Sequence, residues 1–179
     1  MKSRLALYRH LNHYRSLNEA AFIFDLDGTL ALTEHRQHII DNKDDPKRWA
    51  KFFAACVDDQ PNLPVIATLK ALRKSGAECW IWSGRSDEVQ PETESWLYKH
   101  GCLKSSMFLH WSPFDPPESF RMRKAGDFTP DEVLKYGWLA EMEPPERNRL
   151  TAIFDDRDKV VAMWREAGVP CFQVAKGSF

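Results

Sequence analysis

Two aspartates one residue apart, Asp25 and Asp27, close the apolar run in FIFDLDGTLA, residues 22 to 31. Side chains alternate along a strand, so both point the same way if the strand persists that far. Burying charge without a partner is expensive, so a divalent cation, or a phosphate held by cations, is the compensation such residues call for. Gly28 then permits a tight turn and Thr29 offers a hydroxyl. A second pair, Asp155 and Asp156, follows the apolar run LTAIF in the same way. Either pair alone also reads as turn chemistry or a helix cap. Two strand ends carrying paired acids in one crevice give hard oxygen ligands suited to Mg²⁺. A calcium-binding helix–loop–helix is excluded, because Leu30 stands where its loop needs glycine and the preceding segment is a strand.

Between the acid pairs lies WIWSGR, where Ser83 and Gly84 end another apolar run and can present a hydroxyl and a backbone N–H to an anion. Lys135 follows Asp131 by four residues, the order that helical ion pairing prefers. Alone, that pair reads as a solvated surface contact.

The elements that must position these residues follow from periodicity. Apolar runs of strand length recur at 20–24, 78–82, 106–111, 150–154 and 171–175, separated by helix-like segments. Helices over 64–75, 88–100 and 157–167 each stop at a glycine, namely Gly76, Gly101 and Gly168. A fourth helix is expected from TPDEVLK to about Glu141, with Thr129 capping, Pro130 in the first position and Glu132 completing a capping box. Strands hydrophobic throughout are covered on both faces, so the fold class is α/β, a mainly parallel sheet with helices on each side. Ligands of such sheets sit at the carboxyl ends of the strands. The polar stretch 36–60 reads as an insertion forming a small helical cap, and Pro144-Pro145 as a loop.

The 179 residues allow one domain. With 25 basic and 26 acidic residues, no bulk attraction to nucleic acid or an anionic membrane is expected, and phosphate binding must be local. No apolar stretch approaches the roughly 18 residues of a membrane span, so a cytoplasmic protein without a membrane partner is expected. Residues 1–19 form a basic segment with Arg4, Arg9 and Arg15, which also fits an organelle presequence, but the first core strand starts too soon for cleavage. Cys56, Cys79, Cys102 and Cys171 are scattered, which indicates neither zinc nor a disulfide framework. The six histidines show no metal-ligand spacing.

The ordered set Asp25-x-Asp27-Gly28-Thr29, Ser83, Lys135 and Asp155-Asp156 resembles the four motifs of the haloacid dehalogenase (HAD) superfamily of phosphohydrolases. More narrowly, the chain is similar to the 3′-phosphatase domain of phage polynucleotide kinase-phosphatases. That similarity rests on DLDGTLA with Arg36 nine residues beyond Asp27, on SGR at 83–85, on Arg123 with Gly126-Asp127, on DEVLK, and on FDDRDKVVAMWREAGVPCFQVAKGSF. It covers about residues 20–179 and leaves 1–19 unmatched. No G-x-x-x-x-G-K-[ST] loop occurs, so the kinase half of those enzymes is not expected in this chain.

The resemblance implies a HAD-like, Rossmann-like fold and a Mg²⁺-dependent phosphatase. Asp25 would be the nucleophile, forming an aspartyl-phosphate, and Asp27 the acid and then the base, its pKa raised by neighbouring acids. Mg²⁺ would be bound by Asp25, the backbone carbonyl of Asp27, Asp156 and, directly or through its neighbours, Asp155. Thr29, Ser83, Gly84 and Lys135 would surround the phosphoryl group, with Asp131 orienting Lys135. Arg36, Arg85 and Arg123 would bind substrate phosphates, since guanidinium forks take phosphate at two points. In HWSPFDPPESFRMRK, the aromatics Trp111, Phe114 and Phe120 alternate with cations as a base-stacking platform would, or cover the core. The expected substrates are 3′-phosphorylated DNA or RNA ends or 3′-nucleotides. Small phosphometabolites and a non-catalytic binding module are the competing readings, and a separately encoded kinase or a second copy of the chain are possible partners. The setting would be cytoplasmic, the host's cytoplasm if the chain is phage-encoded.

Overall fold

The computed structural model describes residues 17–103 and 119–177. Its centre is a five-stranded sheet built from β1 (Ala21–Phe24), β4 (Glu78–Ser86), β5 (Phe120–Arg123), β6 (Leu150–Arg157) and β7 (Cys171–Gly177). The spatial order is β5-β4-β1-β6-β7, and every neighbouring pair is parallel. The chain moves outward from β1 to one side and then returns to build the other. The crevice where the order reverses lies over the carboxyl ends of β1, β4 and β6, where ligands of open parallel sheets bind.

Strand alternation fills two cores. Phe22, Phe24, Cys79 and Ile81 face one way and bury against Val65, Ile66 and Leu69 of α3 (Leu63–Lys74) and Trp96 and Leu97 of α4 (Gln90–Lys99). Ala21, Ile23, Trp80 and Trp82 face the other way, against Leu139 of α5 (Asp131–Glu141) and Val160, Val161 and Trp164 of α7 (Asp158–Glu166). This is the doubly covered sheet that the continuous apolar strands predicted. Gly76, Gly101 and Gly168, the three expected helix stops, all have positive φ.

Between β1 and β4 the chain makes a small excursion. A two-residue antiparallel pair, β2 (Ala31–Leu32) with β3 (Gln60–Pro61), brackets α1 (Glu34–Asp41), α2 (Arg48–Ala54) and a 3₁₀ turn at Ala55–Asp58. Phe52, one face of α2, is buried there.

Three details differ from expectation. The strand expected at 106–111 lies outside the described residues, and the sheet edge beside β4 is formed by Phe120–Arg123, a strand that the apolar runs did not mark. The side chains of Met122 and Phe120 pack into the core, which gives that segment reason to extend. Pro144-Pro145 opens the short helix α6 (Pro144–Arg149), since proline suits a first helical turn. Helix α5 begins at Asp131, one residue later than expected, so the capping position falls on Pro130, whose side chain has no acceptor, and no side-chain cap forms.

All four cysteines are free and buried. Burial pushes the thiols of Cys102 and Cys171 up, to about 11 and about 12, so they are inert at neutral pH. No helix among the described residues is long and apolar enough to cross a membrane.

Candidate active site

Asp25 is the first residue beyond β1, and its N–H continues the ladder to the Phe154 carbonyl at 2.9 Å. Its carboxylate therefore emerges at the sheet's carboxyl edge, buried, beside the end of β6. There Asp155 and Asp156, consecutive in the strand, turn to opposite sides. Lys135 of α5 donates to Asp155 Oδ2 at 2.8 Å and to Asp25 Oδ1 at 2.6 Å. Thr29 donates to Asp156 Oδ1 at 3.3 Å. One oxygen from each of Asp25, Asp155 and Asp156 lies within 4.8 Å of the others.

The electrostatics of this cluster are those of a site short of positive charge. Burial, reinforced by Asp155 and Asp156, pushes the Asp25 carboxyl well above the ordinary range even though Lys135 pulls it down. Burial and then Asp155 push Asp156 up to about 7. Burial disfavours the Lys135 ammonium, but Asp155 and Asp25 outweigh it and raise its pKa. One lysine thus serves three buried acids. A divalent cation among the three carboxylates fits both the deficit and the hard-oxygen donor set.

The turn beyond Asp25 is shaped by this crowding. Gly28 has φ +84°, and a Cβ there would collide with the Asp156 carboxyl. Only glycine lets the loop pass so close to β6. Gly84 serves likewise on β4, since a Cβ would come within 2.7 Å of Asp131 Oδ1. Ser83 beside it is fully buried and accepts the N–H of Arg85 at 3.1 Å.

Asp27 belongs to a second group. Arg36, from the excursion, donates to Asp27 Oδ1 at 2.6 Å, and Arg85 of β4 donates to both of its oxygens. Both guanidiniums also converge on Asp59: Arg36 Nε at 2.6 Å and Nη2 at 2.7 Å, and Arg85 Nη2 at 2.8 Å. Asp27, Arg36, Arg85 and Asp59 form a tetrad of alternating charge with no net charge. Arg36 is packed on the Phe52 ring, 4.0 Å to the centroid, and donates to the Phe52 carbonyl. Arg85 donates to Thr93 of α4, and the Asp59 carbonyl accepts the indole N–H of Trp96 at 2.8 Å. Burial would raise the Asp27 carboxyl, but the charges of Arg85 and then Arg36 win and hold it down to about 2. The expectation that neighbouring acids raise it is therefore corrected, since its nearest charged partners are guanidiniums.

The three arginines expected to meet substrate phosphate are placed otherwise. Arg36 and Arg85 are almost wholly buried and occupied by the two aspartates. Arg123 donates to the carbonyls of Gly84, at 2.7 Å, and Thr129, at 2.6 Å, and to Asp131. Asp131 also binds Arg157, so it locks the start of α5 to β5 and β6, while Lys135 is oriented by Asp25 and Asp155. Phe120 is buried, on the core side of the alternatives set out for the aromatic segment, and Trp111 and Phe114 lie outside the described residues.

A family model of the polynucleotide kinase PNKP phosphatase domain matches residues 19–179. The chain belongs to this family of HAD-type phosphatase domains. It is 28% identical over 151 residues to a protein of Autographa californica nuclear polyhedrosis virus described as a bifunctional polynucleotide kinase/RNA ligase, a match covering 84% of this chain and 18% of that one. Chains of two Pnkp1/Rnl/Hen1 structures, one of them titled an RNA repair complex, are each 30% identical. Their TM-scores are 0.66 and 0.65, with 90% and 89% of this chain and 47% and 43% of those chains covered. The chain thus spans less than half the length of these relatives. A phosphatase from Clostridium difficile, 13% identical, shares the fold at a TM-score of 0.52 over 86% of this chain and 83% of that one. Of the site residues set out from the sequence, Asp25, Lys135, Asp155 and Asp156 meet in one cluster. Asp59 and Arg157 were missed. The only trace of Asp59 in the sequence is the acid pair Asp58-Asp59, one of two such pairs in the polar insertion beside Asp44-Asp45.

Proposed function

We propose that this PNKP-type phosphatase domain is a Mg²⁺-dependent 3′-phosphatase that removes the terminal phosphate from nucleic-acid ends or 3′-nucleotides. The observation that carries the chemistry is the division of two neighbouring carboxylates between two environments. Asp25 sits in an acid cluster with one lysine, and Asp27 in a guanidinium cradle. The 3′ and nucleic-acid part is supported by the family match and by the repair-complex relatives.

Asp25 attacks phosphorus, the P–O ester bond breaks, and an aspartyl-phosphate forms. Asp25, Asp156 and the Asp27 carbonyl, with Asp155 beside them, would hold Mg²⁺, which would neutralise the phosphoryl oxygens when bound. Lys135 stays protonated and adds its charge to the same oxygens, while the hydroxyls of Ser83 and Thr29 line the approach. Asp27, ionised at rest, is ready to accept a proton from the water that hydrolyses the intermediate. The proton for the departing sugar oxygen arrives with the phosphoester, whose second ionisation lies near pH 6, and passes through Asp27. Arg36 and Arg85 act through Asp27, holding its carboxylate toward the leaving oxygen.

The test is Mg²⁺-dependent phosphate release from a 3′-phosphorylated oligonucleotide, a 3′-mononucleotide and a 5′-mononucleotide, each beside Asp25→Asn. Release from the 3′ substrates that vanishes in Asp25→Asn is the expected result. Activity confined to the 5′-mononucleotide would move the substrate to small-nucleotide metabolism, and no turnover of any phosphoester would leave a binding module.

A further inference from the structure

Phe128 is the most exposed large hydrophobic side chain among the described residues, at 86% of its surface. It stands in the turn Gly126–Thr129, which leaves the carboxyl end of β5 and enters α5, the helix that brings Lys135 to Asp25. The turn lies on the same edge of the parallel sheet as the acid cluster. An aromatic ring left in water at the rim of a polar site contributes nothing to the fold by burial.

The backbone under that ring is held in place. Arg123 Nη1 donates to the carbonyls on both sides of Phe128, Asp127 at 3.2 Å and Thr129 at 2.6 Å. Asp127 Oδ1 accepts the Thr129 N–H at 2.8 Å, and the Asp127 N–H returns to the Lys124 carbonyl at 3.0 Å. The same guanidinium reaches the Gly84 carbonyl, next to Ser83, and the Asp131 carboxylate. The ring's mounting is therefore tied to the wall of the site, with no ligand needed to order it. A preorganised, solvent-facing aromatic beside a phosphate site matches a stacking platform, on which any base can lie because every base has a π-face.

We propose that Phe128 stacks on the nucleobase of the nucleotide whose 3′-phosphate enters the Asp25 site, and so determines preference for base-bearing ends. This rests on the 3′-phosphatase reading above. In this role Phe128 is a specificity residue that takes no part in the chemistry.

The experiment compares wild type, Phe128→Ala and Phe128→Trp on two oligonucleotides that differ only in whether the 3′-phosphorylated terminal sugar carries a base. An aryl phosphate serves as a substrate for the chemistry alone. Phe128→Ala should raise KM for the base-bearing end roughly 5- to 150-fold, the equivalent of the 1–3 kcal/mol that a base–aromatic stack supplies. It should leave kcat and the KM for the abasic end within a factor of two, and Phe128→Trp should restore the low KM. Equal effects of Phe128→Ala on both ends, or none on either, overturn the stacking role while leaving the 3′-phosphatase reading intact. Turnover of the aryl phosphate with none of either 3′-end overturns both.

Discussion

Replacing Asp59 by asparagine removes one charge from a site where two guanidiniums converge, and the cost can be worked from the contacts. Asp59 accepts three charge-assisted bonds, from Arg36 at 2.6 and 2.7 Å and from Arg85 at 2.8 Å. Arg36 and Arg85 are 0% and 1% exposed, so water cannot take over. Burial pushes the Asp59 carboxyl up despite both arginines, so the ion is not held for a large gain of its own. The loss comes from what is left behind, two buried cations sharing Asp27. An asparagine would also turn N–H donors toward a guanidinium. Breaking a buried pair from one side costs about 3–5 kcal/mol, a large share of the 5–15 kcal/mol that stabilises an ordinary domain. For a chain of this length the melting temperature should fall by roughly 6–20 °C. The assay is urea unfolding of wild type, Asp59→Asn, Arg36→Met and the double variant, with phosphate release measured on each. The double variant should lose clearly less than the sum of the singles, because its two missing charges were partners. Turnover of Asp59→Asn should drop in kcat more than in KM, since Asp27 loses its fixed cradle. A single-variant cost below about 1 kcal/mol, or strictly additive losses, would refute the tetrad as a coupled unit.

Two further outcomes follow from the same electrostatics. The Asp27 carboxyl is lowered from 3.8 to about 2, so the stability it contributes is complete above the unfolded value and disappears as pH falls from about 4 through 2. Its size is about 2 kcal/mol, so the stability gap between wild type and Asp27→Asn, read by denaturant titration, should be about that much larger at pH 6 than at pH 2. A gap that is constant with pH would count against the guanidinium cradle. The acid cluster should also make stability depend on Mg²⁺: at a hundredfold excess over Kd the gain is about 2.7 kcal/mol, or roughly 5–10 °C in melting temperature. Asp156→Asn should lose most of that shift, and an unchanged shift would place the cation elsewhere.

Much of this site was legible because its chemistry is written in short local patterns. Asp25, Asp155 and Ser83 each follow an apolar run, and an all-parallel sheet brings strand ends of that kind together whatever the intervening lengths. Residues whose partners come from outside their own element were read less well. Asp131 and Lys135 stand four apart, and on an isolated helix they would pair. In the folded chain Lys135 reaches two buried acids that leave a larger deficit of positive charge, while Asp131 is taken by arginines from β5 and β6. Arg36 and Arg85 illustrate the same limit. Their spacing from the acid motifs marks them as site residues, but phosphate and carboxylate offer a guanidinium similar forks. Whether they face substrate or protein was decided by Asp59, which sits 23 residues from Arg36 and 26 from Arg85 at the end of an insertion. Only the closing of that insertion onto α4, where the Trp96 indole N–H holds the Asp59 carbonyl, brings Asp59 between them. The division of Asp25 and Asp27 into different charge environments is therefore a property of the tertiary fold, although the DxD spacing that makes it possible is local.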